Sequence, residues 1–248
     1  PNMNMNRNPS SRTIIVTGAA GGMGASTCRA LTAEGDDVIA IDSDSGALHQ
    51  LAAESPLVHP LAVDLRASEL LARVDDALLA LPPVAGLVNM AGISTGHAIE
   101  QLDDEAWAHS FDVNVTPAMR LIRALAPRLR ERGGGSIVNV GSPVGLIGAR
   151  KPSYAASKAA LHGLTMSCAR NLGPDAIRVN LLLPGATMTG MTRDWDHARC
   201  AEVARGNFLG RLCTPQEIAG VVAFLLGEAS SYITGSVIDM TAGGLWGH

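Results

Sequence analysis

Lysine and tyrosine are almost missing from this chain: it has two of each in 248 residues. Its 17 arginines are scattered, charged residues make up 17%, and the net charge is −4. A surface that tracks nucleic-acid phosphates needs concentrated lysine and arginine, so nucleic acid is excluded as the main partner. The preference for arginine over lysine fits a high-GC bacterial genome. The four cysteines, Cys28, Cys168, Cys200 and Cys213, are far apart. No C-x-x-C and no Cys/His cluster of zinc spacing occurs, which excludes a zinc module and reads as reduced thiols in a cytosolic protein. No apolar run of about 18 residues exists, so no membrane span is expected. Residues 1–11 are polar and lack the apolar stretch of a secretory signal, so they read as a loose tail.

Hydrophobic residues, at 47%, supply a substantial core and exclude disorder. Short apolar runs alternate with longer amphipathic stretches. Strands are predicted at 13–18, 37–42, 57–64, 84–92, 135–142, 176–185 and 236–244. Helices are predicted at 22–35, 103–133 (with a break near Pro117), 153–173 and from "TPQEIAGVVAFLLGEA". The strands lack polar alternation, as expected when helices cover both faces of a parallel sheet. Regular βαβ alternation implies one doubly wound α/β domain, a Rossmann-type sheet of about seven parallel strands over 12–248. The longest irregular stretch, 186–213, reads as a lid over a substrate site.

"TGAAGGMG" sets Gly18, Gly22 and Gly24 between the first strand and the first helix. Glycines there permit a close backbone approach, and the helix N-terminus offers free N–H groups to a dinucleotide pyrophosphate. Asp42 ends the second strand, where a carboxylate accepts both hydroxyls of an adenosine ribose and repels a 2′-phosphate. No cation is visible for that phosphate, since position 21 is glycine and Ser43 follows Asp42. These features predict NAD rather than NADP. Asp64, at the end of the third strand, has two readings: the adenine edge, or the N-cap of "LRASELLARVDD".

One of the two tyrosines and one of the two lysines stand four apart in "SYAASKAAL". That spacing puts Tyr154 and Lys158 on one helix face, an arrangement with about one chance in sixty of arising at random. With the glycine loop at 17–24, "NMAG" at 89–92, Asn114, Ser142 and "PGATMT" at 184–189, all in order, the chain resembles the short-chain dehydrogenase/reductase family. The resemblance runs from about Arg12 to Gly244. It implies Tyr154 as general acid/base and Lys158 on the nicotinamide ribose. It also implies Ser142 on the substrate oxygen, and Asn114 holding a water that links Lys158 to solvent. It further implies cofactor contacts from Met23, Leu65, Asn89, Ala91, Gly92, Pro184, Gly185, Thr187 and Thr189, and a homo-oligomer, dimer or tetramer.

The chemistry agrees with these roles. Hydride transfer at a carbinol carbon needs a partner for the hydroxyl proton. A tyrosine's pKa of about 10 is too high for a base at neutral pH. The Lys158 ammonium and the positive nicotinamide ring are expected to lower it. Ser142 donates to the developing alkoxide, although it could also cap the turn after the fifth strand. Met90 stands where the family often has asparagine, and the segment from Ser142 to Tyr154 is about a residue short of the commonest form.

Substrate walls are expected from residues 94–97, from Pro143, Val144 and Leu146, and from the lid with Met188, Met191, Trp195 and Phe208. These are mostly apolar. Arg193 and Arg199 leave an anionic group open, the lid's Met and Trp could equally dock on their own scaffold, and Trp246 is a candidate subunit contact. The predicted function is NAD-dependent interconversion of a secondary alcohol and a ketone on an aliphatic, alicyclic or steroid-like substrate. The alternatives are a 3-oxoacyl-thioester reductase, disfavoured by Asp42, and a non-catalytic dinucleotide sensor, for which Ser142, Tyr154 and Lys158 would be needless.

Overall fold

The computed structural model describes residues 11–192 and 195–245. The tail to residue 10, Arg193, Trp246 and the side chain of Met191 lie outside the described residues. Seven strands form one parallel sheet: β1 (Thr13–Thr17), β2 (Asp37–Asp42), β3 (Val58–Ala62), β4 (Val84–Asn89), β5 (Gly135–Val140), β6 (Ile177–Pro184) and β7 (Val237–Met240). Their order is β3-β2-β1-β4-β5-β6-β7. The chain starts in the middle, winds outward to β3, then returns past β1 to β4. The reversal leaves a crevice above the C-terminal ends of β1 and β4, where doubly wound sheets bind ligands.

One face of the sheet is covered by α1 (Gly22–Ala33), α2 (Ser45–Glu54) and α9 (Pro215–Leu226). The other is covered by α3 (Leu70–Leu78), α4 (Asp104–Asn114), α5 (Thr116–Glu131) and α7 (Pro152–Leu172). Two short helices, α6 (Val144–Ile147) and α8 (His197–Arg205), flank the crevice. The central strands are therefore buried on both sides: Ile14, Ile15, Leu87, Val88, Ile137 and Val138 have no exposed surface. This explains their unbroken apolar runs. Two arginines hold the far end of α9, where carbonyls lack helical partners. Arg12 Nη1 donates to Leu226 O at 2.8 Å, and Arg178 Nη2 to Gly227 O at 3.1 Å.

The predicted strands all form; β2 keeps its predicted bounds, and the others have ends trimmed by one to four residues. The predicted long helix is two, parted at Val115 (φ −125°, ψ −54°), so the break falls two residues before Pro117. Asn114 thereby becomes the last residue of α4. Two corrections concern elements that pattern reading leaves out. Helix α2 links β2 to β3; it is only 10 residues and buries just Leu48 and Leu51, too few to give a strong period. The 186–213 segment is not irregular throughout, for it contains α8, capped by Asp196 Oδ1 accepting from Arg199 N at 2.7 Å. Helix α8 has no buried residue, so no apolar stripe announces it.

The core assignment makes a direct test. Leu87→Ala removes a fully buried side chain from the central strand and is expected to cost about 2–5 kcal/mol in urea unfolding. Leu79→Ala, 81% exposed, is expected to stay within about 0.5 kcal/mol. Equal costs would mean that the core is misplaced.

Candidate active site

The glycine loop after β1 turns into α1 with almost no room to spare. A Cβ on Gly24 would sit 2.0 Å from the Gly18 carbonyl oxygen. Position 24 therefore takes no side chain, and the first-turn N–H groups of α1 open directly onto a cleft. The cleft is about 740 Å³. Gly18, Gly22, Met23 and Gly24 line one side, Asp42, Asp64 and Leu65 the next, and Ala91, Gly92 and Thr189 the far end. An elongated cleft with an anion-binding helix end at its middle and a carboxylate at one extremity fits a dinucleotide.

Asp42 is held ready by the backbone. Its Oδ2 accepts from Ala20 N at 3.0 Å and its Oδ1 from Asp44 N at 3.1 Å. Asp64 lines the cleft but does not cap α3. Helix α3 begins six residues later, with Glu69 at its N-cap position. The Asp64 carboxylate instead grips Arg66: Oδ2 accepts from Nη2 at 2.6 Å, and Oδ1 accepts from Nε at 3.0 Å and from the backbone N at 2.8 Å. This grip pulls the Asp64 pKa down to about 2. Arg66, Ser43, His109 and Val113 also line the cleft and were not singled out from sequence. The Asp-x-Arg spacing was the available signal for Arg66. His109 and Val113 reach the cleft only because α4 folds over it.

At the other end, α7 carries Tyr154 and Lys158. Ser142, in the turn after β5, stands near enough to the Tyr154 phenol to favour its charged form. Burial pushes the phenol pKa up, and the Ser142 hydroxyl only partly offsets this. Lys158 is not among the groups that shift the Tyr154 phenol. Lys158 instead donates through Nζ to Val140 O at 3.0 Å, behind the site, and burial brings its pKa down to about 8. Gly92 makes this location possible: a Cβ there would lie 3.0 Å from Lys158 Nζ and 3.4 Å from Asn114 Oδ1.

Asn114 ties the walls together. Its Nδ2 donates to Ile93 O at 3.0 Å and to Ser157 Oγ at 2.9 Å, and its Oδ1 accepts from Ile93 N at 2.8 Å. The side chain acts as a strut between the loop after β4 and α7, with one Oδ1 lone pair left beside Lys158. Lys151, the second scarce lysine, adds another tie by donating from Nζ to Ser94 O at 2.8 Å. Asn89 lies under the crevice, buried, donating to Asn139 Oδ1 at 2.8 Å. It does not line the cleft and supports it from below. Met90 is buried against α1 and borders the cleft.

The loop after β6 is pinned from the lid side. Cys213 N donates to Ala186 O at 2.9 Å, and Met188 N to Cys213 O at 3.0 Å. Pro184 and Thr187 are buried; Thr187 donates through its hydroxyl to Gly185 O at 2.9 Å. Gly185 faces a second cavity of about 260 Å³ behind this loop. Thr189 alone of the predicted loop residues lines the main cleft. Of the residues expected as substrate walls, Leu146, Met188 and Phe208 are large and exposed, as are Ile147 and Leu209. Val144 is half-buried in α6. Trp195 faces its own lid, its ring 4.8 Å from the Arg199 guanidinium. That contact engages Arg199, one of the two arginines considered for an anionic group.

Comparison with known proteins decides the family. The short chain dehydrogenase model matches residues 12–199. The chain belongs to the short-chain dehydrogenase/reductase family. It is 38% identical over 236 residues to a 3-alpha-(or 20-beta)-hydroxysteroid dehydrogenase of Mycobacterium tuberculosis, covering 92% of this chain and 88% of that protein. It is 34% identical over 240 residues to a cyclopentanol dehydrogenase of Comamonas sp., covering 94% and 96%. The crystal structure of a 3-oxoacyl-[acyl-carrier protein] reductase from Brucella melitensis superposes with a TM-score of 0.87 at 32% identity, covering 94% and 90%. Family membership makes this an oxidoreductase acting between alcohol and ketone with a nicotinamide dinucleotide, NAD or NADP. No helix among the described residues is long and apolar enough to cross a membrane.

Two outcomes test this short-chain dehydrogenase site. Gly145 packs so closely on α7 that a Cβ would stand 2.8 Å from the Ala159 nitrogen. Gly145→Ala is expected to push the Ser142 turn away from Tyr154 and lower kcat by roughly 10- to 100-fold, with cofactor affinity unchanged. An unaltered kcat would show that this packing does not set the Ser142–Tyr154 geometry. The second outcome concerns Lys158. A folded-state pKa of about 8 lies below the ordinary 10.5, so the unfolded chain binds more protons between those values and stability rises with pH there. Relative to Lys158→Met, the wild type is expected to gain up to about 3 kcal/mol from pH 7 to 10.5 in urea unfolding. A difference that stays flat with pH would rule out a buried, depressed lysine.

Proposed function

We propose that this chain is an NAD(H)-dependent dehydrogenase interconverting a secondary alcohol and a ketone, on an apolar alicyclic, aliphatic or steroid-like substrate. The observation that carries the cofactor choice is Asp42, whose carboxylate is fixed by two backbone N–H groups at the end of the cleft. A fixed carboxylate bonds ribose hydroxyls and rejects a 2′-phosphate. The apolar rim of Leu146, Ile147 and Met188 supports the substrate class, as do relatives named for a hydroxysteroid and for cyclopentanol. The 3-oxoacyl reductase reading has a structural relative in its favour and the Asp42 carboxylate against it. The sensor reading leaves the Ser142–Tyr154–Lys158 set without a task.

In the proposed mechanism Ser142 and Tyr154 hold the substrate oxygen between them. Tyr154 takes the hydroxyl proton during oxidation and returns it during reduction. Ser142 donates to the developing alkoxide. Bound NAD supplies the hydride acceptor and a positive ring. Lys158, whose described partner is a carbonyl rather than a carboxylate, keeps its full charge for the ribose and the tyrosinate. Because burial raises the Tyr154 pKa, the tyrosinate depends on those positive charges. The Asn114 strut and the Lys151 tie keep Ile93 and Ser94 in place as one wall of the site. A dimer or tetramer is part of the proposal, supported by the exposed Phe224 and Tyr232 near the β7 edge.

An NADH-absorbance screen over cyclic alcohols, sterols, polyols and hydroxyacyl esters identifies the substrate. With the best alcohol, kcat/KM is expected to favour NAD over NADP by at least about tenfold. Tyr154→Phe is expected to lose roughly 10²–10⁴-fold in turnover while still binding NADH. A preference for NADP would refute the cofactor assignment, and full turnover by Tyr154→Phe would refute the mechanism.

A further inference from the structure

The cleft holds a cation at its adenosine end. Arg66 lines the same cleft as Asp42 and Ser43. The two strands that deliver them are neighbours in register, with Asp42 opposite Ala62, and Val63 N donates to Asp42 O at 2.9 Å. Asp64 is the next residue, and Arg66 follows two places on. A guanidinium in this position is what a ribose 2′-phosphate would seek, because its planar fork matches phosphate oxygens.

That guanidinium is occupied. Asp64 takes Nε and Nη2 of Arg66 in a forked pair and also accepts the Arg66 backbone N–H. The backbone bond fixes the short Asp64–Arg66 turn, so the two side chains meet without ordering long loops. His109 and Asp112, on α4, lie near the pair. The pair is about half exposed, so its strength alone is modest. Its effect lies in direction: with Asp64 charged and bound to it, Arg66 presents little net positive potential to the cleft.

We infer that Asp64 is a second discriminator against a 2′-phosphorylated cofactor, acting by keeping Arg66 engaged. This rests on the proposed role of Asp42 as the first. Asp42 repels the phosphate directly, and Asp64 withholds the cation that could compensate. Removing the Asp64 charge frees Arg66 beside the ribose while leaving Asp42 intact.

The test measures binding, not turnover. Adenosine 5′-monophosphate and adenosine 2′,5′-bisphosphate differ only in the 2′-phosphate. Their Kd values are measured by calorimetry for the wild type, Asp64→Asn and the double variant Asp64→Asn/Arg66→Met. Taking the ratio of the two Kd values cancels any general weakening of adenine binding or any loss of folded protein. In Asp64→Asn the ratio is expected to move about five- to tenfold toward the bisphosphate, and in the double variant to return to the wild-type value. A wild type that prefers 5′-monophosphate but shows no shift in Asp64→Asn overturns the inference and leaves Asp42 standing. A shift that persists without Arg66 overturns it too, because the cation would then be uninvolved. A wild type that already prefers the bisphosphate defeats the Asp42 assignment and this one together.

Discussion

The site depends on burying one ammonium without a carboxylate beside it. Lys158 sits on the inner face of α7, bonded to a main-chain carbonyl, and burial depresses its pKa. A neighbouring carboxylate would restore the pKa, but it would also neutralise the charge that the site needs for ribose and tyrosinate. The fold manages the burial with backbone and small residues. Gly92 leaves the space, Asn114 braces the adjoining loop, and Gly145 lets the Ser142 turn lie flat on α7. The same close approach that hides Lys158 sets Ser142 against Tyr154.

Helix α7 is built of alanines, serines and one glycine around the two functional residues. Small side chains let it lie close to β5, β6 and α6 while keeping helix propensity high. At the α7 end of the site Lys158 is buried and Tyr154 and Ser142 are half-buried. The adenosine end differs: its charges, Asp42, Asp64 and Arg66, are half-exposed or exposed and arranged by short loops.

Apolar runs and glycine placement made the seven strands legible, because central parallel strands must be apolar on both faces. Helices α2 and α8 were not legible, since short helices with few buried residues leave no period to read. Within the site, Tyr154 and Lys158 were legible from i, i+4 spacing, and Asp42 from its place after the glycine loop. The engagement of Asp64 with Arg66 was not. Both readings considered for Asp64 assumed a carboxylate free to act, and side-chain pairing across two residues is decided by loop conformation.

The sequence by itself determined the parallel α/β fold, and it singled out the glycine loop and the Tyr154–Lys158 pair as candidates. These rest on local rules: strand and helix periodicity, the conformational range of glycine, and spacing along one helix. Only the tertiary structure decided what those residues touch. It put Lys158 on Val140 O rather than on Tyr154, made Asn114 a strut, turned Trp195 onto Arg199, and brought His109 and Arg66 to the cofactor cleft. The physical reason is that hydrogen bonds, burial and the pKa shifts they cause depend on distances between segments far apart in the chain. Those distances exist only once the sheet and its covering helices have packed.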